Sequence, residues 1–106
     1  MNEEELSTLA YEFHMQNDLE NAQKYYLQAL ALNSEYPQIH NNLGTIYQSK
    51  QDYETARLHY EKALTCKPDY VDAIKNMVNV EYLYSLIFQV TSPRFPCFTA
   101  GDFCLT

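Results

Sequence analysis

The chain has no tryptophan, two glycines and four prolines in 106 residues. No segment alternates polar and apolar residues for long enough to make a strand, so a sheet protein is excluded by pattern. Cations are scarce: seven Lys and Arg stand against 14 Asp and Glu, a formal net charge of −7. Nucleic acid is therefore not the expected ligand, because phosphate binding needs clustered Lys and Arg. The three cysteines, Cys66, Cys97 and Cys104, all lie late. Their odd number favours small apolar fillers over disulfides, and Cys97 and Cys104 have no nearby histidine or cysteine pair at zinc-site spacing. No metal and no other cofactor is expected. The longest apolar run, Tyr82 to Val90, is about half of the ~20 residues that a bilayer-spanning helix requires, so membrane insertion is not expected. Met1 leads directly into acidic residues, which predicts no secretory signal and a cytoplasmic location, with the nucleus as the alternative. Cys104 stands third from the end rather than fourth, which does not fit a prenylation signal.

Catalytic patterns are missing as well. There is no Gly-rich phosphate loop and no nucleophile elbow, and Cys66 has no adjacent histidine to make it a thiolate. His14, His40 and His59 are not expected to converge on one face, with His40 at the edge of the core and His59 partly solvated. The expectation is a protein that is not an enzyme.

What the chain does contain is itself, twice. Residues 3–36 superpose on 37–70 at an offset of about 34 residues without a gap. Leu9, Asp18, Glu20, Ala22, Tyr26, Ala29, Leu30 and Tyr36 meet Leu43, Asp52, Glu54, Ala56, Tyr60, Ala63, Leu64 and Tyr70. Phe13 meets Tyr47, and Ala10 meets Gly44. Small residues at Ala10/Gly44, Ala22/Ala56 and Ala29/Ala63 let antiparallel helices approach to roughly 8–10 Å. The aromatics Phe13/Tyr47 and Tyr26/Tyr60 fill the adjacent space. Asp18 and Asp52 are expected N-caps, Pro37 a first-turn proline, and Pro68 the exit from a helix. This predicts an all-α chain with helices over 3–15, 19–32, 37–50, 53–66 and 70–84.

The unit resembles the tetratricopeptide repeat (TPR) family, which has a bulky residue, then Leu-Gly, Tyr, Ala, an aromatic, Ala and Pro at fixed positions. The second unit matches with Leu43, Gly44, Tyr47, Ala56, Tyr60, Ala63 and Pro68, and departs at His40, where Trp or Leu is commoner. The first matches with Leu6, Leu9, Ala10, Phe13, Ala22, Tyr26 and Ala29, with Ser34 in place of Pro. The resemblance implies an α-solenoid, a right-handed superhelical segment of helix-turn-helix repeats. Its divisions are 1–36, 37–70 and the first helix of a partial third unit, 71–84, followed by a divergent apolar tail, 85–106.

The third unit begins in register with Ile74 and Met77, then has Val78 where Gly or Ala belongs and Glu81 where an aromatic belongs. Beyond Ser85 nothing matches, and Pro93 and Pro96 interrupt any helix there. An end cap and a membrane or partner-docking segment are alternatives for this tail. The favoured expectation is a reading frame that leaves its parent array through splicing, truncation or gene-model error. The unpaired third helix is expected to expose Ile74, Met77 and Val78 and to support self-association.

The resemblance also implies a function: holding a segment of another protein in a concave groove lined by the first helices of successive units. The positions that face such a groove are Glu4, Ser7, Thr8, Tyr11, His14 and Met15, then Gln38, Asn41, Asn42, Thr45, Gln48 and Ser49. Asp72, Lys75, Asn76, Asn79, Tyr82 and Leu83 complete the set. The candidate ligand-binding residues are Thr8, Tyr11, Gln38, Asn41, Asn42, Thr45, Asp72, Lys75, Asn76 and Asn79. Asn42 and Asn76, one repeat apart, could pair with the backbone of an extended peptide, similar to the asparagine ladder in O-linked N-acetylglucosamine transferases. The carboxylate clamp of co-chaperone TPR domains is not expected. Ser7, Tyr11, Asn42, Asp72 and Asn76 occupy its five positions, only Asn42 fits, and Asp72 repels a carboxylate. A fragment of a larger TPR enzyme of the glycosyltransferase type, or a transmembrane TPR protein, is the rival expectation.

Overall fold

The computed structural model describes residues 1–91, with side chains as far as Leu86. Helix α1 spans Glu3–Met15, α2 Leu19–Leu32, α3 Pro37–Ser49, α4 Tyr53–Cys66 and α5 Val71–Thr91. Each start has a local cause. Asn2 closes a capping box on α1: its Oδ1 accepts from the Glu5 amide at 2.8 Å while the Glu5 carboxylate accepts from the Asn2 amide at 3.2 Å. Glu3, Glu4 and Glu5 in the first turn complement the helix dipole. Asp18 and Asp52 cap α2 and α4 by accepting from the Asn21 and Thr55 amides. Helix α3 has no side-chain cap; Pro37 occupies its first turn, where a missing N–H costs nothing.

The ends of α1 and α3 are the same device used twice. Asn17 and Gln51 adopt left-handed backbone, φ 62° and 65°. The next amides, of Asp18 and Asp52, then reach back to the carbonyls of Phe13 and Tyr47, each at 2.9 Å. This Schellman closure satisfies carbonyls that the last turn leaves free and turns the chain at once into the next helix.

Helix α1 packs on α2, α3 on α4, and α5 on α4 and α3, so each new helix lies on those before it. The small residues do what close approach requires: Ala10, Ala22, Ala29, Ala56, Ala63 and Ala73 are all fully buried. Tyr26 and Tyr60 are the largest fully buried side chains. At Gly44 an added Cβ would overlap the Tyr60 ring, at 2.7 Å from its Cδ1, so the ring occupies space that only glycine leaves. The described residues form an all-α repeat solenoid.

Two expectations are corrected. Helix α5 continues to Thr91 rather than stopping at residue 84. Nothing in Ser85-Leu86-Ile87-Phe88-Gln89-Val90 breaks a helix, and the first proline after α5 begins is Pro93. Met77, expected at the surface, is half-buried against Ala56, Tyr60 and Val80. The expected tail beyond residue 91, with Pro93, Pro96, Cys97 and Cys104, lies outside the described residues.

Candidate functional site

The first helices α1, α3 and α5 side by side leave a cleft of about 490 Å³. Thr8 and Tyr11 of α1, Gln38, Asn41 and Asn42 of α3, and Asp72 of α5 all line it. Glu4 and Ser7, which share the groove-facing register, join them. Four of the expected residues stand elsewhere: Thr45, Lys75, Asn76 and Asn79 do not line this cleft.

Hydrogen bonds separate the amides that are engaged from those that are not. Asn41, though at the cleft wall, is only 6% exposed. Its Oδ1 accepts from Asn76 Nδ2 at 3.0 Å, tying α3 to α5. The anticipated column of open amides is thus interrupted, because Asn76 spends a donor on the neighbouring helix. Asn42 is half-buried, and among the described residues its side-chain amide makes no hydrogen bond to another helix. Thr8 and Thr45 direct their hydroxyl hydrogens to backbone carbonyls, of Glu4 at 3.0 Å and of Asn42 at 2.7 Å. Toward a ligand, these hydroxyls keep only acceptor capacity.

Two cleft residues were visible in the sequence without being recognised as such. Tyr36 and Tyr70, one repeat apart, stand just before α3 and α5 and line the cleft. Their identity across the superposition was the available signal. Burial raises the Tyr70 phenol pKa, and Asp72 raises it further, against a hydrogen bond from Asn41. The lining therefore combines the carboxylates Glu4 and Asp72 with the phenol rings Tyr11, Tyr36 and Tyr70, and contains no Lys or Arg.

His14 and Gln48, expected in the groove, face the core phenols instead. His14 Nδ1 lies 3.4 Å from the Tyr26 hydroxyl, and the Tyr60 hydroxyl donates to Gln48 Oε1 at 2.9 Å. These are equivalent positions of the two units, so a buried tyrosine finds a polar partner in each. Burial pushes the Tyr26 phenol up to about 12.

The histidines depart most from expectation. His40 and His59 meet with Nδ1 atoms 3.2 Å apart and rings stacked at 5.4 Å. Tyr47 also stacks on His59, at 5.4 Å. His40 Nε2 lies 2.9 Å from the Ser34 carbonyl, which can only accept, so Nε2 carries a proton. His59 then donates its Nδ1–H to the His40 Nδ1 lone pair while both rings are neutral. Burial lowers the pKa of both rings, and together with the charges of His40 and Lys62 it brings that of His59 down to about 4. Among the described residues no group of three or more His, Cys, Asp or Glu could hold a metal ion, and no helix is long and apolar enough to cross a membrane.

Known families match this architecture. A tetratricopeptide repeat model covers residues 37–70, and a second model described as TPR repeat covers residues 10–51. A Haemophilus influenzae (strain Rd) protein described as uncharacterized is 35% identical over 79 residues. That alignment takes in 72% of this chain and 44% of the relative, so the chain spans under half of that protein's length.

Proposed function

Because the chain belongs to the tetratricopeptide repeat family, whose repeats are protein–protein interaction modules, we propose that it is a non-catalytic scaffold whose α1/α3/α5 cleft holds an extended, cationic segment of a partner protein. The observation that carries this reading is a cleft to which three successive first helices contribute Thr8, Tyr11, Gln38, Asn42 and Asp72. Asn42 and Gln38 each offer both a donor and an acceptor, the pair of functions that a peptide backbone requires. Glu4 and Asp72 favour a Lys or Arg, and the rings of Tyr11 and Tyr36 stand beside them, while the Tyr70 ring already carries Lys67 Nζ at 5.4 Å from its centroid. A cation over such a ring contributes ~0.5–1 kcal/mol at an exposed site. A segment ending in a carboxylate is repelled by the same charges.

The test is fluorescence polarisation with two panels of unstructured peptides, one bearing Lys and Arg and one bearing Asp and Glu at matched length. The cationic panel is expected to bind, more weakly as salt is raised, and to lose affinity in an Asn42→Ala/Asp72→Lys variant of unchanged helicity. Equal binding of both panels, or no change in the variant, overturns the reading. Pull-down of cellular proteins by wild type and by this variant then identifies partners by difference.

A further inference from the structure

Two cleft tyrosines share one repeat position, and the second of them already holds a cation. Lys67 Nζ lies 5.4 Å from the centroid of the Tyr70 ring, inside the ~6 Å over which a ring face attracts a positive charge. Lys67 is the C-cap of α4, with φ −143° and ψ 89°, and its amide donates to the Ala63 carbonyl at 2.9 Å. One repeat earlier Asn33 is the C-cap of α2, with φ −147° and ψ 99°, and its amide donates to the Ala29 carbonyl at 2.9 Å. The same backbone device therefore ends both helices three residues before a cleft tyrosine. The side chains differ. Asn33 is short and uncharged, and its Oδ1 accepts from the Glu35 amide at 3.2 Å. Among the described residues no Lys or Arg stands over the Tyr36 ring.

The acids near the two rings sharpen the contrast. Tyr36 lines the cleft together with Glu4, whose exposed carboxylate has no salt-bridge partner among the described residues. Glu35 belongs to a different cavity, which it shares with Lys62 and His40. Tyr70 has the Asp72 carboxylate close enough to raise its pKa. At Tyr70 the chain thus supplies acid, ring and cation, whereas at Tyr36 it supplies only acid and ring. Resting on the cationic-segment reading above, we infer that Tyr36 and Glu4 form the seat for one Lys or Arg side chain of the bound segment. Tyr70 takes none, because Lys67 is already over its ring, and Asp72 acts on the segment by its charge alone. The seat requires an ammonium or guanidinium group, so a neutral acetyl-lysine does not fill it. The exchange of Asn33 for Lys67 between the two units determines at which end of the cleft the cation is read.

Fluorescence polarisation of the full chain with the Lys-bearing peptides of the cationic panel tests this. Asn33→Lys/Ser34→Pro copies Lys67-Pro68 and gives Tyr36 a cation of its own; the residue before a proline must be extended, as Asn33 is. This variant is expected to bind the peptides about fivefold more weakly. Ala31→Lys/Ser34→Pro adds the same charge at an exposed position away from the ring and is expected to change affinity by less than about twofold. Lys67→Asn, also at an exposed position, uncovers the Tyr70 ring and is expected to bind about threefold more tightly. Lys62→Asn removes an equal charge beside the other cavity and is expected to change affinity by less than about twofold. Acetylating the peptide lysines is expected to abolish the difference between wild type and the Asn33 variant. Helicity by circular dichroism is checked for each variant, and Lys67→Asn carries the test if the double variant loses its fold. Equal weakening by the Asn33 and Ala31 variants overturns the seat, because charge alone then accounts for the loss. Peptide binding that is the same in wild type, the Asn33 variant and Lys67→Asn overturns this inference and leaves the cleft reading standing. Lys peptides that fail to bind the wild-type chain overturn both.

Discussion

His40 and His59 lie with their Nδ1 atoms 3.2 Å apart, at the positions where the preceding unit places Leu6 and Tyr25. The second unit thus holds a polar, titratable pair where the first holds an apolar contact. Folded His59 titrates near 4 against an ordinary 6.5, and His40 is lowered in the same direction. Between these values the unfolded chain binds more protons than the folded one, so stability rises with pH. It is fully present above about pH 6.5 and is lost as pH falls toward 4. Thermal unfolding from pH 7.5 down to pH 5 should therefore show a falling midpoint, before the carboxylates titrate. His40→Leu/His59→Tyr, which copies the first unit, should flatten most of that fall. His14, lowered by burial as well, should sustain the remainder. A variant with the full wild-type slope would show that the pair is not its source.

Gly44 makes a second test of the tight helix contact. Alanine at an interior helical site ordinarily gains ~0.5–1 kcal/mol over glycine. Here its Cβ must displace the ring of Tyr60, which is fully buried and cannot swing aside into solvent. Overpacking of that kind costs about 1–3 kcal/mol. Gly44→Ala should accordingly lower stability in urea by about 1–2 kcal/mol, against the sign that helix propensity alone dictates. A neutral or stabilised variant would falsify the contact.

The helices were legible because the chain states its pattern twice. Asp18 with Asp52, Ala22 with Ala56 and Tyr26 with Tyr60 each confirm the other, and local signals such as Pro37 set the starts. The end of α5 was misread because repeat length was given precedence over the local fact that no proline follows Pro68 until Pro93. The groove face was legible as a register, which is why Thr8, Gln38, Asn42 and Asp72 come together. The engagement of each side chain was not. Asn41 and Asn76 are 35 positions apart, and their bond depends on the rotamers of two helices in different units. Tyr47 stacks on His59 at 5.4 Å, which matches the parallel Phe13–Tyr25 stack of the first unit at 5.7 Å, and His40 joins that stack through His59. That aromatic pairing could have been foreseen; the third ring joining it could not, since the first unit has Leu6 there.

Left-handed backbone at the two equivalent turns gives a third prediction. Asn17 tolerates that conformation, whereas Gln51 carries the Cβ cost without the compensation of a short polar side chain. Gln51→Gly relieves that cost, less the extra freedom that glycine gives the unfolded chain. A gain of about 0.5 kcal/mol is expected in urea denaturation, with a smaller change for Asn17→Gly. Loss of stability at Gln51→Gly would mean that the glutamine side chain contributes a contact worth more than the strain.

The amides of α3 separate stability from recognition. Asn41 is buried, and Asn76 donates to it at 3.0 Å. Asn76→Ala leaves the Asn41 oxygen without that donor, and an unpaired buried acceptor costs about 1–3 kcal/mol. Asn42 borders the cleft with its amide only half-buried, so Asn42→Ala should cost about 1 kcal/mol or less. The two substitutions are therefore expected to cross: Asn76→Ala lowers the unfolding midpoint and spares binding of a cationic peptide at a temperature where both variants are folded. Asn42→Ala spares the midpoint and weakens binding roughly tenfold, which corresponds to about 1.4 kcal/mol. If Asn76→Ala instead weakens binding as much as Asn42→Ala does, its amide reaches the ligand when the cleft is filled. The bond to Asn41 would then be the resting contact of a residue that changes partners.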